Sequence, residues 1–359
     1  MGLSSTPILD KNTLYWTSTP PPPCMKKSLS AHDPMIYKYD DGFDYPVFSE
    51  YFKNAVLSVW NPWEVSLKAD CQDWKENITE DERNLISGIL RGFTSAELGI
   101  SCYWSDTVCR LFPKTEIQDM AKMFSAFERI HAAAYNYLSD TLGLNEFKEF
   151  MSDETAKKKV EMFFTNCKSD KVSLAIFSGC AEGVSLYSSF AILLAFAREG
   201  KFKGIRQIIS WSVIDEGVHS DAGSELFKEL VKEVGITDEE VKEIKEGFDT
   251  IIENEYGFLD NIFSRIDGSK IPIDLDSLKA YIKLRANNRL ANLGLDLSIP
   301  MSVDEVNLSA GISSWFDPMV RGQANSDFFA MSKSGGSYVS KPSQDWLSVD
   351  LSSLDLSLV

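Results

Sequence analysis

The chain has 359 residues, of which 44% are hydrophobic, and a formal net charge of −17. This length permits two domains, and the hydrophobic content with its long helical patterns equally permits one large helical bundle. The acidic balance, without a basic cluster, argues against a nucleic-acid-binding surface and against binding to an anionic membrane.

Residues 1–45 hold the run Pro20–Pro23 and little hydrophobic periodicity, so we predict an extended N-terminal arm and no domain there. They also lack the succession of cationic, apolar and small residues that marks a signal peptide. The six cysteines of the chain show no C-x-x-C spacing. Both features favour a reducing compartment, and we expect a cytoplasmic protein.

Helical signals dominate the stretch from Pro46 to Leu293, and no convincing pair of strands appears. Thr79 and Thr237 each begin the pattern of a capping box, which marks the start of a helix. Polar or Gly/Pro breaks separate the predicted helices, which span 47–60, 79–111, 116–142, 154–168, 172–199, 202–234, 238–265 and 275–293.

The apolar run Val172–Ala197 is long enough to span a membrane. It carries Glu182 and many small and hydroxylated residues, which favours a buried bundle helix over a transmembrane helix. After about residue 320 the chain becomes rich in Ser and Gly, and it ends in an acidic and apolar segment, Trp346–Val359. We therefore predict a helical domain over residues 46–320 and a flexible tail over residues 321–359.

Two of the three histidines occur in the same four-residue frame, Glu128-x-x-His131 and Glu216-x-x-His219. Residues i and i+3 share a face of an α-helix, so each frame directs a carboxylate and an imidazole to one point. Helical proteins with dinuclear iron or manganese centres use two such frames and one further Glu from each of two other helices. The third histidine, His32, lies in a Pro-rich region and is interpreted as a surface residue.

Two glutamates in apolar, helical surroundings fill the remaining positions, Glu97 and Glu182. Each precedes its Glu-x-x-His frame by a similar interval, 31 and 34 residues. A buried carboxylate costs several kcal/mol unless it is paired or binds a metal ion. Four carboxylates and two imidazoles suit iron or manganese better than copper or structural zinc. The alternative is that Glu128 and Glu216 only form ion pairs with surface Lys or Arg. Such pairing explains a single Glu-x-x-His frame well, but it explains two frames poorly.

Three further residues lie where they could act together with these ligands. Tyr135 follows His131 by one helical turn, so it is either an oxidisable phenol beside the metals or a core tyrosine hydrogen-bonded to a carboxylate. Asp215 directly precedes a predicted ligand and is a candidate acceptor for a histidine N–H. Trp60, taken alone, is interpreted as a core residue.

Together these features resemble the small, radical-generating subunit of class I ribonucleotide reductase. The resemblance covers about residues 45–320 and the general character of the tail. It rests on the six predicted ligands in order, on Tyr135 four residues after the first ligand histidine, and on the motifs Trp60-x-Pro62-x-Glu64-Val65, Asp215-Glu216-x-x-His219 and Leu293-Gly294-Leu295-Asp296-Leu297.

The resemblance implies a ferritin-like helical bundle that binds two ions of iron or manganese through Glu97, Glu128, His131, Glu182, Glu216 and His219. It implies that Tyr135 carries a stable radical and that Trp60 and Asp215 belong to an electron and proton path leading outwards. It also implies a homodimer whose tail docks on the large catalytic subunit, where ribonucleotides are reduced. Tyr338 is the predicted mobile redox tyrosine of the tail, and Trp346 is the alternative candidate for this role.

Two positions depart from the family pattern. Glu97 stands where the iron–tyrosyl members have Asp, and Glu also occurs there in members that use manganese, so the identity of the metal stays open. Leu186 replaces one aromatic residue of the apolar pocket near the radical, although Phe190 is retained, and we expect a pocket dry enough to protect a radical. The resemblance gives no room for a nucleotide-binding domain before Pro46.

Two proteins of other classes are the alternatives. A ferritin-like iron-storage protein would need neither the tyrosine, the tryptophan nor a docking tail. A diiron oxygenase or desaturase should have a channel that admits an apolar substrate to the metals.

Overall fold

The structure is a computed structural model, and it describes residues 28–30, 42–144, 158 and 169–334. Within these ranges every regular element is helical and no strand occurs, which confirms the predicted all-α class. In chain order, the α-helices are α1 (Pro46–Leu57), α2 (Lys68–Gln72), α3 (Glu80–Cys102), α4 (Thr115–Leu142), α5 (Asp170–Ile176), α6 (Tyr187–Arg198), α7 (Lys203–Val234), α8 (Asp238–Phe263), α9 (Leu275–Leu293) and α10 (Val303–Ser334). Shorter segments are the π-helical turns Asp73–Asn77, Tyr103–Val108 and Phe177–Ala181, the 3-10 turns Pro62–Glu64 and Gly268–Lys270, and the single turn Cys109–Leu111.

Local sequence fixes several helix ends. Thr79 and Glu82 form a reciprocal capping box at the start of α3, and Thr237 and Glu240 form one at the start of α8, as predicted. The helix α4 ends at Gly143 with φ 77°, in the left-handed region that glycine adopts without steric cost. These caps satisfy backbone groups that a helix end would otherwise leave unpaired.

The helices pack around one continuous hydrophobic core. α4 lies against α1 and α3, and α7 contacts α4, α5, α6 and α9. The middle of α7, from Ile208 to Gly217, is buried on every side, so this helix runs through the centre of the bundle. A polar side chain on the inner face of α4 or α7 is therefore held away from water.

The apolar stretch Val172–Ala197 is buried almost throughout, which confirms its placement in the core of the bundle. No helix in the described ranges is long and apolar enough to cross a membrane. The prediction of one continuous helix over 172–199 is wrong, because α5 passes into the π-helical turn Phe177–Ala181 and residues 182–186 form turns before α6. The amide of Glu182 donates to the carbonyl of Phe177 at 3.2 Å, an i to i+5 bond that widens the helix at this point.

The two ends of the chain lie largely outside the described residues. The predicted helix 154–168, apart from residue 158, and most of the arm 1–45 fall there, as do residues 335–359 of the predicted tail. The helix α10 was not predicted, and its backbone is helical through Ser334, beyond the predicted start of the tail at residue 321. Its Ser- and Gly-containing sequence and internal Pro318 weaken the helical pattern on which the prediction relied.

Candidate metal centre

The six predicted ligands meet at one place in the centre of the bundle, and none is more than 1% exposed. α3 supplies the first glutamate, α4 and α7 each supply one Glu-x-x-His frame, and the turn after Phe177–Ala181 supplies the last glutamate. On α4 the buried positions recur every three to four residues, which places both ligands of its frame on the inner face. The ligands that converge are Glu97, Glu128, His131, Glu182, Glu216 and His219.

The ligand atoms form two overlapping groups. One group contains Glu97 and His131, the other contains Glu182 and His219, and both contain Glu128 and Glu216. Within each group the ligand atoms lie within 4.8 Å of one another. Two carboxylates shared between two ligand groups are the arrangement that bridges a pair of ions.

The distances link the two frames across the centre. His131 Nδ1 lies 3.1 Å from Glu128 Oε2 and 3.0 Å from Glu216 Oε1. His219 Nδ1 lies 2.6 Å from Glu128 Oε1 and 3.6 Å from Glu216 Oε2. Glu128 and Glu216 thus each turn one oxygen towards each histidine, so either carboxylate could be shared by two ions.

Charge and hydrogen bonding fit a pair of divalent ions. Neither carboxylate oxygen of Glu97 has a hydrogen-bond partner among the described residues, although both oxygens are buried. A buried carboxylate without such partners is expensive unless a cation balances it. Two divalent ions carry four positive charges, which balance the four carboxylates with both imidazoles neutral.

Burial and neighbouring charge shift the pKa values of the ligands. Burial, together with the charge of Glu216, raises the pKa of Glu97 well above its usual value. Burial likewise raises the pKa of Glu182. Burial opposes ionisation of Glu128 as well, but the two nearby histidines outweigh it and lower its pKa. Burial disfavours the protonated form of His219, yet the Glu128 carboxylate outweighs burial and raises the pKa of His219 to about 10.

Tyr135 lies beside the centre, with its ring centroid 6.4 Å from that of His131. Its side chain is fully buried, and burial raises the pKa of its phenol well above the usual value. The ring of Phe93 packs on Tyr135 at 4.8 Å, and Phe190 packs on Phe93 at 5.1 Å. Leu186, which stands in place of an aromatic residue of the family pattern, is also fully buried.

A hydrogen-bonded chain leads from the centre to Trp60. The carboxylate oxygen Oδ2 of Asp215 lies 3.0 Å from His131 Nε2 and accepts a hydrogen bond of 2.9 Å from Trp60 Nε1. The ring of Trp60 also stacks on His131, with centroids 5.8 Å apart. Trp211 packs on Trp60, with ring centroids 5.1 Å apart. Both Asp215 and Trp60 therefore lie next to the centre.

Sequence reasoning missed the aromatic residues that contact this site, namely Phe93, Trp104, Phe124, Phe127 and Trp211. Trp104 is fully buried, and its indole N–H donates to Glu182 Oε1. It follows Glu97 by seven residues, or about two helical turns, and this spacing could have indicated a shared face. Tyr338, Trp346 and His32 lie outside the described residues.

Comparison with known proteins identifies the family. Residues 42–301 match the model of the family described as ribonucleotide reductase, small chain. This chain belongs to that family. Because the match covers the four glutamates and both histidines, the buried centre of this small chain lies inside the family's shared region. Among its relatives is the protein of Invertebrate iridescent virus 6 named "Probable ribonucleoside-diphosphate reductase small subunit 376L", which is 31% identical over 71% of this chain and 82% of that protein.

Further relatives of this small chain come from cellular organisms. Ribonucleoside-diphosphate reductase subunit M2 of Danio rerio is 26% identical over 82% of this chain and 78% of its own length. Among solved structures, the ribonucleotide reductase R2 subunit of Clostridium botulinum has a TM-score of 0.67, with 20% identity over 77% of this chain and 88% of its own. The dimanganese(II)-NrdF of Streptococcus sanguinis has a TM-score of 0.66, with 21% identity over 77% of this chain and 98% of its own. These two structures show a shared fold.

The family membership confirms the predicted enzyme, ribonucleoside-diphosphate reductase, of which this small chain is the small subunit. It also confirms the ferritin-like fold and the type of cofactor, a dinuclear centre of iron or manganese. The small subunit works together with a large subunit, in which ribonucleotides are reduced. Iron storage and oxygenation are thereby set aside as the function of this chain.

Proposed function

We propose that this chain produces and keeps a radical on Tyr135 and passes the oxidising equivalent through Asp215 and Trp60 to the large subunit. The observation that carries the proposal is the position of one fully buried tyrosine beside a centre with two shared carboxylates. A buried phenol next to an oxidising centre is shielded from reductants in solution.

The residues divide the metal-binding work in two. Glu97 and His131 would hold one ion, Glu182 and His219 would hold the other, and the two bridging glutamates would contact both. When it is bound, the metal pair supplies the one-electron oxidising power that a tyrosine needs. The protein contributes a fixed ligand geometry, a dry pocket and an exit for the oxidising equivalent.

Tyr135 is suited to lose an electron and a proton together. Burial raises the pKa of its phenol, so the neutral phenol is the form that is oxidised and the proton leaves with the electron. The ring contact with Phe93 and the full burial of Tyr135 keep water away from the resulting neutral radical.

The path by which the oxidising equivalent leaves the centre begins at Asp215. Its Oδ2 accepts the indole hydrogen bond of Trp60, so it can take the indole proton when Trp60 is oxidised. The same oxygen lies within hydrogen-bonding distance of His131 Nε2, which fixes the carboxylate between the ligand and the indole. Trp63, three residues after Trp60, is 67% exposed, so the surface lies close to this end of the path.

Assembly is part of the proposal. We propose that the chain forms a homodimer and that residues 340–359 dock on the large subunit, with Tyr338 as the redox residue of the tail. The acidic and apolar composition of this segment supports docking by leucines on an apolar groove.

The substitution Tyr135→Phe tests the assignment of the radical. It removes only the phenol oxygen, so we expect normal metal content, no tyrosyl signal in electron paramagnetic resonance, and at least a 100-fold loss of ribonucleotide reduction with the large subunit added. Tyr137→Phe is the matched control, because Tyr137 lies on the same helix and donates to the carbonyl of Val65 at 3.2 Å, away from the centre. A tyrosyl signal that persisted in Tyr135→Phe would refute the assignment.

A further inference from the structure

The two Glu-x-x-His frames set the register between α4 and α7. Glu128 Oε1 lies 2.6 Å from His219 Nδ1. His131, one turn further along α4, has its Nδ1 3.0 Å from Oε1 of Glu216, which is one turn earlier on α7. The contacts move forward on α4 and backward on α7, so the two helices run antiparallel. The residue one turn beyond His131 should therefore face the residue one turn before Glu216.

Continued by one turn, this register pairs Tyr135 with Ser212. Tyr135 follows His131 by four residues, and Ser212 precedes Glu216 by four. Both side chains are fully buried. Burial raises the pKa of the Tyr135 phenol and the charge of Glu97 adds to the rise, whereas the neighbouring hydroxyl of Ser212 opposes it. An uncharged hydroxyl thus lies next to the phenol in an otherwise apolar or anionic environment.

The Ser212 hydroxyl is directed elsewhere in the described structure. It donates to the carbonyl of Ile208 at 3.1 Å, and the Tyr135 phenol oxygen has no aligned hydrogen bond among the described residues. The Ile208 carbonyl does not depend on this bond, because inside α7 it also accepts the backbone N–H of Ser212. The hydroxyl can therefore turn away without leaving a buried carbonyl unpaired.

Oxidation changes what the oxygen of Tyr135 requires. A phenol both donates and accepts hydrogen bonds. The oxidation proposed above removes one electron and one proton, so the phenoxyl oxygen that remains can only accept. A serine hydroxyl rotates about its Cβ–Oγ bond to suit its partner. That rotation exchanges one hydrogen bond for another, and it moves no electron and breaks no covalent bond.

We propose that Ser212 is a positioning residue for the Tyr135 radical, and that its hydroxyl turns from the Ile208 carbonyl to the phenoxyl oxygen when Tyr135 is oxidised. The inference rests on the proposed function and deepens it, since it names the group that holds the radical oxygen. A buried acceptor without a partner is costly, so this hydrogen bond stabilises the radical in its pocket.

The test is electron paramagnetic and electron–nuclear double resonance of the full-length protein, loaded with ferrous iron and oxidised by dioxygen in deuterated water. A deuteron on the Ser212 oxygen, bonded to the radical, should give a resolved coupling and lower the largest g value of the radical. Ser212→Ala removes this donor. We expect the coupling to vanish, the g value to rise, and the half-life of the radical to shorten about two- to tenfold.

Ser210→Ala is the matched control. Ser210 is fully buried in the same helix, and its hydroxyl has no hydrogen-bond partner among the described residues. It stands two positions from Ser212 and therefore on a different face of α7. This variant removes a hydroxyl of the same size, and the coupling and the g value should equal those of the unmodified protein.

The possible results separate this inference from the proposed function. A deuteron coupling that persisted in Ser212→Ala, or a radical in the unmodified protein without such a coupling, would overturn the role of Ser212 and leave the proposed function intact. If Ser212→Ala loses iron or helicity, Ser212→Cys replaces it, because a thiol is a weak donor and should reduce the coupling. Absence of any tyrosyl signal from the iron-loaded, unmodified protein would overturn the proposed function, and this inference with it.

Discussion

Glu128 and Glu216 determine whether the centre is one site or two. Each belongs to a Glu-x-x-His frame, and each turns one oxygen to either histidine, at distances from 2.6 to 3.6 Å. A side chain that only neutralised its own histidine would contact one imidazole. Because each glutamate is shared between the two ligand groups, loss of either glutamate should empty both ion positions.

The ligands exchange protons for metal ions, which makes metal binding depend on pH. The pKa of His219 is raised to about 10, so this imidazole carries a proton at neutral pH when no metal is bound, and the pKa values of Glu97 and Glu182 are raised as well. Metal binding must release such protons. Raising the pH removes the competing protons and therefore strengthens binding.

We expect the Mn²⁺ affinity to rise by about tenfold or more per pH unit between pH 6 and 8, which corresponds to at least one proton released per binding event. Calorimetric titration in two buffers of different ionisation enthalpy measures both the affinity and the number of protons. An affinity that stayed constant over this range, with equal heats in both buffers, would contradict the protonation assigned to the ligands.

The interrupted helix between α5 and α6 is the element that shapes the second ion position. Glu182 stands where the π-helical turn Phe177–Ala181 ends, and Arg285 of α9 donates to the carbonyl of Gly183 at 3.2 and 3.3 Å. A Cβ atom on Gly183 would lie 2.3 Å from the carbonyl oxygen of Gly179 and 2.6 Å from Cδ of Arg289. The backbone next to Glu182 is therefore held by contacts that admit only glycine.

Gly183→Ala should consequently destabilise the protein by about 1–3 kcal/mol, as overpacking of a tight core does. It should also lower the metal content by shifting Glu182. Gly257→Ala is the matched control, because Gly257 lies inside α8 with nothing within 4 Å of a new Cβ, and helix propensity predicts a gain of up to about 1 kcal/mol. Chemical denaturation measures the free energy of unfolding of both variants, and metal analysis measures their metal content. Equal stability of the two variants would count against the close packing at Gly183.

The same element marks the limit of prediction from sequence. The Glu-x-x-His frames were predictable because helical spacing alone brings residues i and i+3 together, as for Glu128 and His131. The interruption of the helix at Glu182 was not predictable from local sequence, because arginines of α9, about 100 residues later in the chain, pack against this segment. The spacing from Glu97 could have indicated Trp104, but only the packed bundle shows that its indole reaches Glu182.

At the scale of the whole molecule, the centre and the surface are joined by a short route. The route runs from His131 through Asp215 to Trp60, and the exposed side chains Val59 and Trp63 flank its outer end. The oxidising equivalent has to leave the chain, because ribonucleotides are reduced in the large subunit. Transfer therefore depends on how the two subunits are held together as much as on the centre itself.

Residues 340–359 are the segment to which we assign that contact. They carry Leu351, Leu354, Leu356 and Leu358 next to acidic residues, too few apolar groups for a core of their own but enough to fill an apolar groove. Ordering such a segment on binding costs free energy, which the buried leucines offset.

A peptide of residues 340–359 should therefore compete with the full chain for the large subunit, whereas a peptide with the four leucines replaced by Ser should not. Deleting these residues should abolish ribonucleotide reduction while the metal content and the tyrosyl signal persist. Undiminished affinity of the truncated chain for the large subunit, measured by surface plasmon resonance, would show that docking occurs elsewhere.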